Sequence, residues 1–225
     1  GVSSDIEVIV DDNNPIHGVT GCDRYVARAI HGFDPTNHTP NWMRRRLIRA
    51  GMRSISLAVD VTNYVMLDLG QPMHAYDLDK IEGPIVVRRA AEGEKLTTLD
   101  GKEHDLSVED LLITDSPDGK RGSRILGIAG VMGGLYGEVT ADTKNILLEA
   151  AHFDSVSIAR SARRHKIPSE ASRRFERGVD TQLQPAAAQM AAELLTKFGN
   201  GEPSGHPTDV NTTMYRRPIP FKATE

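Results

Sequence analysis

Between residues 84 and 150 the chain is cut into short apolar runs by turn-forming residues, and this punctuation limits the fold more than any other feature. Pro84-Ile85-Val86-Val87-Arg88-Arg89 and Lys95-Leu96-Thr97-Thr98-Leu99 read as strands, and Asp100-Gly101 is a hairpin signal. Leu111-Leu112-Ile113-Thr114 and Ile125-Leu126-Gly127-Ile128 follow, around a Pro117-Asp118-Gly119 turn. Asn145-Ile146-Leu147-Leu148-Glu149-Ala150 is an apolar run with a carboxylate near its end. The middle of the chain is therefore expected to be β.

The flanks differ. Ile6–Val10 and Tyr25–Ile30 alternate as strands do, separated by the breaker Asp11-Asp12-Asn13-Asn14-Pro15. Thr39-Pro40 predicts a helix start, with Thr39 as N-cap and Pro40 at the first helical position. Trp42, Met43, Leu47 and Ala50 follow at helical spacing, Gly51 sits where the helix should stop, and Arg44, Arg45 and Arg49 occupy the opposite face. Ala58, Val61, Val65 and Leu69 predict a helix beginning near Val59. Downstream, Asp154 can cap a helix over 155–165, and Ser169 a second through Phe175 that Gly178 stops. Pro185 to Phe198 reads as a long helix ended by Gly199. The expectation is a mixed α+β fold: a central β-rich sheet or partly open barrel flanked by helices. Residues 1–22 read as an entry segment, 23–200 as the folded module and 201–225 as an exit linker.

Composition excludes several classes. Aromatics are 5%, so the core must come mainly from Val, Ile, Leu and Ala. A net charge of −4 speaks against a strongly basic nucleic-acid binder, and the single Cys22 fits a reducing compartment. No apolar run approaches the roughly 20 residues of a membrane helix, and no signal peptide is recognisable. Arginine outnumbers lysine 19 to 8, which either suits phosphates and carboxylates or reflects a GC-rich genome. The eight histidines show no zinc-helix spacing, so no metal site is expected. Covalent catalysis, a phosphate loop and a dinucleotide fingerprint have no supporting motif either.

Four segments remain. Gly127-Ile128-Ala129-Gly130-Val131-Met132-Gly133-Gly134 reads as a tight turn or bulge, or as backbone meant to meet a ligand closely. His74, in Gln71-Pro72-Met73-His74-Ala75-Tyr76-Asp77, is either a surface loop histidine or functional. Glu149 either pairs with an arginine or faces a pocket. Arg160, Arg163, Arg164, Lys166, Arg173, Arg174 and Arg177 form either a solvated, ion-paired face or a phosphate contact.

Several of these segments together resemble one family. Asp60-Val61-Thr62-Asn63-Tyr64-Val65-Met66-Leu67, Gly70 through Asp77, Leu148-Glu149, Ala162-Arg163-Arg164-His165 and Ser169 through Asp180 resemble, in order, the beta subunit of bacterial phenylalanyl-tRNA synthetase. The likeness runs from about Arg24 to Leu195 and covers the editing module in the middle of that subunit. The preceding oligonucleotide-binding fold, the following helix-rich modules and the class II aminoacylation motifs are not in this sequence, so aminoacylation is not expected of it. The resemblance implies hydrolysis of tyrosine mischarged onto tRNA(Phe), in the cytoplasm. Tyrosine exceeds phenylalanine by one hydroxyl, which an apolar pocket rejects poorly.

By motif match, Glu149 accepts the tyrosine phenol, Gly133 and Ala171 form the pocket wall, and His74 and Asn63 stand near the ester and the attacking water. Ser169 falls where the family often has threonine, and it can also cap its helix. Arg163, Arg164 and Arg173 are candidate RNA contacts. The implied partners are the 3′ end of tRNA(Phe) and the synthetase alpha subunit, without membrane or DNA. Magnesium and ATP are expected only for the full synthetase. Two other readings stay open: a docking module whose pocket has lost activity, and a free-standing deacylase.

Overall fold

The computed structural model describes residues 6–12, 14–16, 18–214 and 220, so the parts of the expected entry and exit segments at 1–5, 13, 17, 215–219 and 221–225 lie outside the described residues. The described chain is a mixed α+β fold with two five-stranded groupings, a small hairpin and five α-helices, and none of its sheets closes into a barrel.

The first sheet runs β1 (Val8–Asp11), β4 (Ile85–Arg89), β7 (Leu111–Asp115), β8 (Arg124–Ile128) and β9 (Met132–Gly133). Only the β1–β4 pair is parallel. The second sheet places β10 (Ile146–Phe153) between β2 (Cys22–His31) and β3 (Met73–Asp77), all antiparallel. The far edge of β2 is covered by β11 (Glu202–Pro203) and β12 (Thr208–Asn211). β5 (Lys95–Thr97) and β6 (Glu103–Asp105) form the hairpin, and Gly101 takes the left-handed conformation at its turn.

Alternation along the second sheet assigns its two faces. Tyr25, Ala27, Tyr76, Leu147 and Ala151 pack toward the first sheet, in a core shared with Val87, Leu112 and Ile128. Ile30, Ala75, Ile146 and Leu148 pack the other way. They meet α1 (Asn41–Arg49), α2 (Leu57–Leu69) and α5 (Gln184–Gly199). Ala187, Ala191 and Ala192 let α5 lie close to the strands. With cover on both faces, β10 is buried along nearly all its length, which is why it reads as a continuous apolar run. α3 (Ser155–His165) and α4 (Glu170–Phe175) pack on the first-sheet side through Ile158, Ala162 and Phe175.

Several expectations hold to the residue. Asp154 accepts from the Ser157 amide at 2.8 Å and Ser169 from the Ser172 amide at 3.0 Å. Gly51 and Gly178 both have positive φ beyond their helices.

Others are corrected. Pro40, not Thr39, occupies the N-cap of α1, because the Thr39 hydroxyl is taken up by the buried Asp60 carboxylate. α2 begins at Leu57 rather than near Val59, capped by Ser56. Gly199 is still helical and Asn200 makes the left-handed stop; Gly199 is small because a Cβ there would lie 2.5 Å from the Phe33 ring. Glu149 sits in mid-strand, since β10 continues to Phe153. The segment after Gly201, read as linker, supplies β11 and β12, whose pairing with β2 needs backbone groups rather than apolar side chains.

Candidate functional site

Glu149 and His74 are partners on the same rung of the β10–β3 ladder, and both project from the face of the second sheet that looks toward the first. His74 thus lies in a strand, not in the loop expected from Pro72. A cavity of about 150 Å3 opens over them. Its floor is His74, Tyr76 and Glu149, its wall the segment from Gly127 to Gly133, and its remaining side Ala171 and Phe175 of α4. A dry cavity of about this size is large enough for a benzene ring.

The carboxylate is almost fully enclosed, at 7% exposure. Tyr25 donates its hydroxyl to Glu149 Oε2 at 2.9 Å and Tyr76 donates to the same oxygen at 2.8 Å. Among the described residues Oε1 has no hydrogen-bond partner, so the side of the carboxyl group not held by the phenols is available to a ligand in the cavity. Burial pushes the Glu149 pKa up to about 7, only partly offset by the hydrogen bonds from Tyr76 and Tyr25. Burial, and then the neighbouring Glu149 charge, drive both phenols well above their usual range, so they remain donors. Of the two arrangements the sequence left open for Glu149, the pocket is the one realised; no arginine pairs with it among the described residues.

Burial lowers the His74 pKa to about 4, so its imidazole is neutral at physiological pH. The ring is fixed from two directions. It meets Tyr76 edge-on with centroids 4.4 Å apart. It also presses on Gly133, where an added Cβ would stand 2.7 Å from His74 Cε1 and 2.9 Å from Nε2. The glycine segment realises the turn reading, making the β8–β9 turn through Gly130 at φ +64°, and at Gly133 it brings bare backbone against the His74 ring on the cavity lining. The Gly133 carbonyl also accepts from the Leu99 amide at 3.0 Å, which draws Leu99 of the hairpin into the cavity lining.

A larger groove of about 1030 Å3 continues from the cavity, sharing Met73, His74, Leu99 and Met132 with it. Asn63, on α2, lines this groove rather than the cavity, alongside Arg44, Arg53 and Thr62. Its margin is organised by Asp60, whose buried carboxylate accepts from the Thr39 hydroxyl at 2.5 Å, the Ser54 hydroxyl at 2.5 Å and the Ile55 amide at 2.8 Å.

His74, Glu149, Gly133 and Ala171 therefore converge on one cavity, with Asn63 on its extension. Ser169 does not line either space and is spent on the α4 cap. The basic segment lies elsewhere and is partly neutralised. Arg164 pairs with Glu109 and Asp110, Arg160 with Glu109, and Arg173 and Arg174 with Glu170. Arg163, Lys166 and Arg177 are exposed and have no ion pair among the described residues. Tyr25 and Tyr76, the two phenols that hold Glu149, are the residues of this arrangement that sequence reasoning passed over. Their signal was a phenol within a strand otherwise built for burial, since a buried tyrosine hydroxyl needs a partner. Among the described residues no group of three or more His, Cys, Asp or Glu side chains is arranged to hold a metal ion, and no helix is long and apolar enough to cross a membrane.

Comparison with known proteins gives the family of the chain. The chain is 84% identical over its whole length to the phenylalanine–tRNA ligase beta subunit of Bifidobacterium longum, of which it spans 26%. It is 55% identical over 195 residues to that of Streptomyces avermitilis, covering 85% of this chain and 23% of that one. A solved N-terminal fragment of the phenylalanyl-tRNA synthetase beta subunit from Pyrococcus horikoshii aligns over 72% of this chain and 50% of its own, at 18% identity and a TM-score of 0.45. The chain thus spans about a quarter of the length of the curated relatives it matches. The family model of the B3/4 domain matches residues 21–200, the stretch that carries both sheets' site strands and all five helices, and the chain belongs to the B3/4 domain family.

Proposed function

We propose that this domain is the editing module of a cytoplasmic phenylalanyl-tRNA synthetase beta subunit and hydrolyses tyrosine mischarged onto tRNA(Phe). The observation that carries the reading is Glu149 Oε1, an unpartnered acceptor facing a cavity of aromatic size beside a neutral histidine. A tyrosine side chain in the cavity would donate its hydroxyl to Oε1. Phenylalanine would fill the same space and leave a buried carboxylate oxygen unsatisfied, costing on the order of 1–3 kcal/mol. Tyr25 and Tyr76 hold the carboxyl group in place for this choice. Gly133 and Ala171 act as wall.

The reaction needs little from the protein, because an aminoacyl ester is already activated. Water adds to the ester carbonyl carbon, and the ribose oxygen then leaves, taking a proton. With a pKa of about 4, His74 is a weak base at neutral pH and suits the positioning of that water through its imidazole nitrogen. Asn63, on the lining of the groove that His74 shares, would hold the water or the carbonyl oxygen in this reading. In this reading the groove receives the 3′ end of the tRNA. Charging with ATP and magnesium belongs to other parts of the synthetase, together with the alpha subunit.

Binding of free tyrosine and phenylalanine to the 225-residue chain, followed by calorimetry, tests the assignment. Tyrosine should bind roughly 5- to 150-fold more tightly, and Glu149→Ala should abolish the preference. Equal affinities in the unaltered chain would leave a docking role with a silent pocket as the better account.

A further inference from the structure

We propose that Gln71 is a positioning residue for the editing reaction: its side-chain amide stands in for the backbone N–H that Pro72 lacks, and thereby fixes the register that sets His74 opposite Glu149. The inference deepens the functional reading above and rests on it for the reaction that this register serves.

The register identifies the missing bond. In the β10–β3 ladder Ile146 pairs with Asp77, Glu149 with His74 and Ala150 with Met73, so the next rung would join Ala151 to Pro72. Asp77 donates its amide away from β10, to the Gly137 carbonyl at 3.0 Å. Backbone groups alternate in direction along a strand, so those of His74 and of position 72 turn toward β10. A backbone N–H at 72 would therefore meet the Ala151 carbonyl, and proline has none.

Gln71 fills the gap. Its Nε2 donates to the Ala151 carbonyl at 2.9 Å and to the Pro72 carbonyl at 2.8 Å, so one amide nitrogen holds both oxygens of the interrupted rung. Its Oε1 accepts from Gln184 Nε2 at 2.8 Å, and that nitrogen also donates to the Asp180 carbonyl at 2.8 Å. The Gln71 amide thus uses both of its hydrogens and its oxygen. It ties β3, which carries His74, to β10, which carries Glu149, and both strands to the connection between α4 and α5. The rung it completes is the next hydrogen-bonding rung after His74–Glu149.

Packing does not require this pair. Gln71 and Gln184 are both fully buried, and Gln184 Oε1 has no partner among the described residues. Methionines would fill a similar space without an unsatisfied oxygen. What the amides add is direction, because a buried polar network is satisfied in one arrangement only. A slip of one residue would turn His74 to the side where Ala75 meets the helices, away from Glu149 and from the water it positions.

Gln71→Met keeps the side-chain length and removes the amide. Two things are read on the 225-residue chain: native-state hydrogen exchange of the His74 amide, and the rate of single-turnover tyrosyl-tRNA deacylation set against the affinity for free tyrosine. Exchange should become about tenfold faster and deacylation about tenfold slower, while tyrosine affinity, set by Glu149 on β10, stays within about threefold. Pro72→Ala returns a backbone N–H to the rung. Because Pro72 also lines the cavity, the comparison is between Gln71→Met made in the native chain and Gln71→Met made in Pro72→Ala. In the second background the change should alter exchange and rate by no more than about threefold. Equal losses in both backgrounds overturn the inference, as does unchanged His74 exchange in Gln71→Met, or a fall in tyrosine affinity as large as the fall in rate. If Gln71→Met does not fold, recovery of the folded chain by Pro72→Ala supports the lock, and no recovery overturns it. Absence of hydrolysis by the unaltered chain removes only the editing assignment, because the exchange comparison decides the register lock by itself.

Discussion

Replacing Glu149 with glutamine deletes the ionisable group at the centre of the cavity and keeps its shape. In the native protein burial raises this carboxyl from 4.5 to about 7. A folded pKa above the unfolded value means a contribution that is fully present below 4.5 and lost as pH rises through 7. Above that point the chain folds around a carboxylate it would rather keep in water. Taking the two pKa values through the linkage relation, the cost grows by about 2.5 kcal/mol between about pH 5 and about pH 8. Urea unfolding of both proteins at the two pH values measures it. All other titrating groups are shared, so the gap between variant and parent isolates Glu149. The gap should move in favour of glutamine by about 2.5 kcal/mol on going to the higher pH. A movement below about 1 kcal/mol would show that the carboxyl is solvated, and the argument that the cavity is dry enough to discriminate a hydroxyl would fail with it.

Two further substitutions probe the geometry. Gly133→Ala places a methyl group 2.7 Å from His74 Cε1, which must displace the ring; single-turnover deacylation of tyrosyl-tRNA should slow by on the order of 100-fold while free tyrosine still binds. Tyr76→Phe removes one of the two donors to Oε2, so a carboxyl-carbon NMR titration should find Glu149 above its present value of about 7, with a stability loss of about 1–2 kcal/mol.

The helices were legible because their ends carry local chemistry. Asp154, Ser169, Gly51 and Gly178 act within one turn of themselves, and no distant partner had to be known. Thr39 misled for the complementary reason: its hydroxyl is claimed by Asp60, 21 residues away, which no local rule can see. β3 was hidden because Met73-His74-Ala75-Tyr76-Asp77 mixes polar and apolar residues on both faces, and its polar members are held inside by distant partners: His74 and Tyr76 line the cavity and Asp77 accepts from the Thr143 hydroxyl. β11 and β12 were hidden because edge strands on β2 are held by backbone pairing. Residue patterns alone left Glu149, His74 and the glycine segment each with two readings, since the cavity draws on β3, β9, β10 and α4 and spacing within any one of them is uninformative. Resemblance brought them together. The residue pattern singled out the arginines of 160–177 by itself, but Glu109 and Asp110, some 50 residues away in sequence, could not be seen as their partners until the chain folded.

The alternation of β10 has a consequence for how this domain tolerates change in length. Glu149 faces the cavity, while Leu148 and Ala150 on either side face the helices. Inserting or deleting a single residue upstream in the strand would send the carboxyl group among Val61, Val65, Ala191 and Leu195, and turn Leu148 or Ala150 into the cavity. A frame error in the site is thus also a frame error in the core, and a chain that has lost its discriminating acceptor this way would be removed as a poorly folded protein before it could persist as a stable, unselective one.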